Sequence, residues 1–91
     1  MNKERRKRLS AAIELLNSAM ENLDGAREII EEVKDEEEEA YDNLPEGVQE
    51  SERGDAMSEN VDDLDSLISE LEDYSSGIED QIESAQDIID R

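Results

Sequence analysis

Asn43-Leu44-Pro45-Glu46-Gly47 is the stretch that decides the fold, because a long helix cannot run through it. Pro45 is the only proline. It lacks the amide hydrogen an interior helical turn needs, and it suits the opening of a new turn. Asn43 is placed to close a helix ahead of the loop, and Ser51 to cap a second helix behind it with its hydroxyl. On both sides the apolar residues keep a seven-residue count. Leu9, Leu16, Leu23 and Ile30 form one row, and Ala12, Ala19, Ala26, Val33 and Ala40 form a second, offset by three. Beyond the loop, Met57, Leu64, Leu71, Ile78 and Ala85 form one row, with Val61, Ile68, Ser75, Ile82 and Ile89 four residues later. This is the pattern of a coiled-coil seam.

The spacing predicts a single helical-hairpin domain with a first arm over about residues 3–42, a loop or short turn over 43–51, and a second arm over about 52–90. So short a connector returns the second arm antiparallel. Folding near residue 48 sets Val33 beside Leu64, Ile30 beside Leu67 and Ile68, Met20 beside Ile78, and Leu9 beside Ile88 and Ile89. Each arm is expected to be roughly 55 Å long. Glu37 and Ser75 interrupt otherwise apolar rows, and either fix the register or weaken it. Gly25 and Gly77 each cost about 1 kcal/mol relative to Ala inside a helix. Because the rows keep count through them, they are read as close-packing or bending points; a break at Ser75-Ser76-Gly77, giving three helices, is the alternative. Ile13, Leu15, Met20 and Ile29 on the first arm, with Leu67 and Ile88 on the second, widen the apolar stripe beyond what two helices cover. The expected fold class is therefore all-α: an antiparallel, coiled-coil-like two-helix hairpin. It is expected to form a homodimeric four-helix bundle through those residues, or to offer them to a partner helix.

Composition alone points toward disorder, since 42% of residues are charged and the strongly apolar residues are few. Periodicity overrules it, because a disordered chain has no reason to hold its apolar residues in register. Cysteine, histidine, Phe and Trp are absent, which removes disulfides, thiolate metal sites, the commonest general base and nearly all base-stacking surface. The serines have no histidine or suitable lysine to activate them, and a two-helix rod offers no pocket for paired carboxylates. No enzyme activity, cofactor or metal site is expected; Glu36 to Glu39 point in successive directions around a helix and have no calcium-loop spacing. The basic start, Lys3 to Arg8, is followed by no uninterrupted apolar stretch, so neither a signal peptide nor a membrane span is expected, and the setting is read as cytoplasmic.

Charge is the functional signal. Residues 1–8 hold Lys3, Arg5, Arg6, Lys7 and Arg8 against Glu4, a net +4, so the rest of the chain carries −24 within a total of −20. On a rod of the expected length that is about one negative charge per 2.3 Å, against about one per 1.7 Å of duplex DNA. Such a body could occupy the basic groove of a nucleic-acid-binding protein as a DNA mimic. The expected contact groups are Asp35, Glu36, Glu38, Glu39 and Asp42 with Asp62, Asp63 and Asp65. The bulk charge opposes direct binding to nucleic acid or to anionic membrane. The competing reading is a helical interaction or structural module whose acidity serves solubility alone. In that case Leu15→Glu and Ile29→Glu would abolish function.

The run Asp42-Asn43-Leu44-Pro45-Glu46-Gly47-Val48-Gln49-Glu50-Ser51-Glu52-Arg53-Gly54-Asp55-Ala56-Met57 resembles the centre of small acidic proteins of phages, prophages and Gram-positive bacteria. In these an Asn-Leu-Pro-Glu loop and a Ser-Glu-Arg-Gly turn join two Glu-rich helices. The resemblance covers the loop and its flanks by sequence and the arms by composition. It implies a phage or mobile-element setting, in which inhibition of a host DNA-acting machine is plausible and the host cytoplasm is the site of action.

Overall fold

The computed structural model describes residues 1–91. The chain forms three helices, α1 (Lys3–Asp42), α2 (Glu46–Gln49) and α3 (Glu52–Asp90). The long helices α1 and α3 pack side by side in a rod with extents of 69 × 14 × 14 Å. Both arms begin and end where the sequence places them.

Both ends of α1 are closed by nearby polar groups. Asn2 caps α1, its Oδ1 accepting from the Arg5 N–H at 2.9 Å. At the other end the Asn43 N–H donates to the Glu39 carbonyl at 3.0 Å, and the Gln49 side chain donates to the Tyr41 carbonyl at 3.1 Å. Gln49 thus ties the α2 turn back onto the end of α1, satisfying a carbonyl the helix leaves open. Pro45 opens α2, its carbonyl accepting from Val48 and Gln49. Ser51 occupies the cap position of α3 as expected, but its hydroxyl donates backward to the Val48 carbonyl and accepts nothing from the helix.

α3 runs unbroken through Ser75-Ser76-Gly77, so the three-arm alternative is excluded. The close-packing reading of Gly25 and Gly77 is also corrected: both are exposed, and a Cβ added to either meets nothing within 4 Å. Gly25→Ala is accordingly expected to stabilise the hairpin by about 0.5–1 kcal/mol, measured by urea denaturation, because only the helix-propensity deficit is removed.

The seam itself differs from expectation on one arm. On α3 both predicted rows turn inward. On α1 the row of Leu9, Leu16, Leu23 and Ile30 does so and continues through Glu37 and Leu44. Its partner row is Arg6, Ile13, Met20, Arg27, Lys34 and Tyr41, not the alanine row. Ala12, Ala26 and Ala40 are exposed, and Val33 keeps 45% of its surface. Long aliphatic stems explain the substitution. Arg27 and Lys34 lay their methylenes along the seam and carry their charges to its edge, where Arg27 meets Glu31 at 2.9 Å and Lys34 meets Asp65 at 3.1 Å.

Ile13 and Ile68 are the most buried side chains, at 9% and 8% exposure, and none is completely enclosed. Cross-arm bonds from Lys34 to Asp65 and from Asn60 to Glu37, the latter 3.2 Å, match the register of a fold near residue 48. Glu37, half-buried in the inner row, is therefore a register contact.

Candidate interaction surface

The seam leaves each arm with two flanks, and the sequence fills them with opposite chemistry. On one flank of α1, Glu14, Glu21, Glu28, Asp35 and Asp42 recur every seventh residue, all exposed. The residues following the inner leucine row, Asp24, Glu31 and Glu38 among them, stand beside that acidic row. On α3 the equivalent positions include Asp55, Asp62, Asp65, Glu72, Glu79 and Glu83. The pseudo-two-fold relating antiparallel helices keeps equivalent positions on the same side of the pair, so these carboxylates share one face.

Near the loop this face is concave. Glu38, Tyr41 and Asp42 of α1 and Ser58, Val61 and Asp62 of α3 line an open cleft of about 410 Å³. Three carboxylates there surround a half-buried tyrosine ring. Lys34 lies one turn away, and its ammonium pKa is raised, first by the hydrogen bond to Asp65 and then by the charges of Asp65, Glu38 and Asp35, with partial burial opposing. Because the folded value is the higher one, the contribution of this pair is present at neutral pH and is lost only as pH rises through the shifted lysine value.

The expected contact groups are all exposed but do not form one patch. Glu38, Asp42 and Asp62 meet in the cleft, Asp35 and Asp65 flank it, and Glu39 lies on the outer back of α1. Glu36 and Asp63 turn to the opposite flank, where Glu36 adjoins Val33 and Glu37. Tyr41 and Ser58 are not among the sequence-based contact residues, and Val61 is there a seam residue only. Tyr41 was detectable there, because it falls in the seven-residue row of Ile13, Met20 and Lys34.

The six residues expected to make dimer or partner-helix contacts also divide. Ile13 and Met20 belong to the intramolecular seam, covered by the chain's own second arm, while Ile88 lies in the flank row of Leu67 and Tyr74 and is half-buried. Leu15, Ile29 and Leu67 remain 73%, 63% and 45% exposed. Among 29 carboxylates and nine Lys or Arg residues only two ion pairs form, so nearly all of the acid is unopposed. No group of three or more carboxylates converges to hold a metal ion. No helix is long and apolar enough to cross a membrane. Comparison with protein-family models, curated proteins and solved structures finds no match.

Proposed function

We propose that this hairpin is a non-catalytic acidic protein that binds and inhibits a basic nucleic-acid-handling protein by DNA mimicry, acting as a pair of copies in the cytoplasm of a phage- or mobile-element-bearing cell. The observation that carries the reading is the segregation of carboxylates onto one face with almost no cations among them. Solubility alone calls for charge spread around the rod, and an uninterrupted acidic row adds repulsion without structural return. Counting the whole chain, basic start included, over the observed length, 20 net negative charges along 69 Å is about one per 3.5 Å, half as dense as duplex DNA. Two copies side by side double this and equal the duplex. The phage or mobile-element setting rests on the loop resemblance.

The test is capture of partners from bacterial lysate at about 50 and 200 mM salt, followed by affinity measurement on the captured protein. Counterion release predicts at least a tenfold loss of affinity across that range. Glu38→Gln with Asp42→Asn and Asp62→Asn should reduce both the affinity and the salt slope. An affinity indifferent to salt would sink the mimicry. The exposure of Leu15 and Ile29 favours the second reading, an apolar interaction module, under which Leu15→Glu abolishes partner capture and the capture by the parent chain is indifferent to salt.

A further inference from the structure

Opposite the acidic face lies a flank of different composition. The alanine row displaced from the seam sits here, one residue ahead of the inner row that holds Ile13. Leu67 and Tyr74 of α3, 45% and 59% exposed, stand one residue ahead of Ile68 and Ser75, and so turn to the same side. Leu15, Ile29 and Val33 complete an apolar strip on α1. Arg5, Arg8, Arg53 and Arg91 on this flank offset Glu36, Asp63 and Glu70, leaving it close to neutral in a molecule of net charge −20.

The strip on α1 has a seam spacing of its own, alternating steps of three and four residues from Arg8 to Glu36. It is also a chemical mirror about Asn22. Outward from Asn22 come Ala19 and Ala26, then Leu15 and Ile29, then Ala12 and Val33, and finally Arg8 and Glu36, which carry opposite charge. An isologous pair requires a surface complementary to itself: antiparallel copies set Arg8 of one on Glu36 of the other, whereas parallel copies would set Arg8 on Arg8 and Glu36 on Glu36. Residue 22 is also close to the midpoint of α1, so pairing there overlaps the two rods along their whole length.

We propose that this face is where two copies of the chain pair antiparallel, about a two-fold axis within one helical turn of Asn22. The inference deepens the pairing invoked above and rests on it. Charge decides the direction. Antiparallel copies set the basic Lys3–Arg8 end of each against the acidic Asp35–Asp42 end of the other, whereas parallel copies stack acid on acid. Alanines let the helices approach closely, and one polar Asn within an apolar seam fixes register at some loss of stability. From Arg8 to Glu36 the strip runs about 42 Å, and two helices are about 20 Å across, so each copy covers on the order of 800 Å², the size of a standard stable interface. Pairing this way leaves both acidic faces outward.

The chain has no cysteine, so single cysteines can be placed at will. Copies carrying Arg8→Cys are expected to cross-link through a short bis-maleimide to copies carrying Glu36→Cys, and neither to itself; Asn22→Cys should cross-link to its own kind. Gly25→Cys, on the outer back of α1, is the control and should stay uncoupled. Sedimentation should give a dimer for the parent chain and a monomer of unchanged helicity for Leu15→Glu. Self-coupling of Arg8→Cys would overturn the antiparallel arrangement. A dimer that couples only through Gly25→Cys would overturn this face while leaving pairing itself standing. A parent chain that sediments as a monomer at about 100 μM, a concentration at which even micromolar pairing is mostly associated, would sink both.

Discussion

Gly54→Ala is expected to lower the thermal midpoint by roughly 10–20 °C, the effect of about 2–3 kcal/mol in a domain this small. Gly54 is buried in the first turn of α3, directly beneath the end of α2. A Cβ there would stand 2.5 Å from the Gln49 carbonyl carbon and 2.7 Å from its Cα, and closer still to its carbonyl oxygen. These are backbone atoms and cannot swing aside as a side chain would. Relief requires the α2 turn to move, which also pulls Gln49 off the Tyr41 carbonyl and releases the end of α1. Gly47→Ala is the control, since its added Cβ meets nothing within 4 Å. Equal losses at both positions would mean that chain flexibility in the loop, not the close approach, is what the glycines supply.

The requirement at Gly54 marks where the sequence stops being legible. Pro45 and the seven-residue rows announce two arms, and their ends at Asp42 and Glu52 agree with the structure. The Ser-Glu-Arg-Gly turn was visible as a pattern, but the contact that demands a glycine exists only once α2 folds onto α3. The misread row on α1 has a different cause. An alanine every seventh residue fits a seam and its flank equally well, because a methyl group adds little to either. The true inner row contains Arg6, Arg27 and Lys34, which hydropathy sets aside although their stems pack like apolar side chains. Even so, Ile13, Met20 and Tyr41 lie in that row at heptad spacing, and counting every large side chain would have found it.

That correction also changes the reading of the charge. With the alanine row in the seam, the row from Glu14 to Asp42 would stand on the outer back of α1, away from α3. With the row on a flank, acid concentrates on one side and an uncharged strip appears on the other. Both features depend on α1 holding one rotation about its axis relative to α3. That rotation is fixed by Ile13 and Ile68 and by the bonds from Lys34 to Asp65 and from Asn60 to Glu37.

Ile68→Asp is therefore expected to remove most of the helicity at neutral pH, seen by circular dichroism, while Leu67→Asp retains it. Ile68 is 8% exposed and sits level with Ile30 by the register of the cross-arm bonds, in a core with no completely enclosed side chain to share the loss. Removing its packing costs about 2–5 kcal/mol, and burying an unpaired carboxylate adds several more. The whole stability of a small domain is of order 5–15 kcal/mol, and a two-helix core belongs at the low end. Leu67 is 45% exposed on the neighbouring flank, so the same substitution there adds a solvated charge and leaves the seam whole. Ile68→Val, losing one methylene, should cost only about 0.5–1.5 kcal/mol. If Ile68→Asp and Leu67→Asp lose helicity equally, the rotation of α3 is not the one described, and the separation of acidic and apolar faces falls with it. If only Ile68→Asp does so, partner capture should vanish with the helix, because the carboxylate row is an array only while the seam holds the arms in phase.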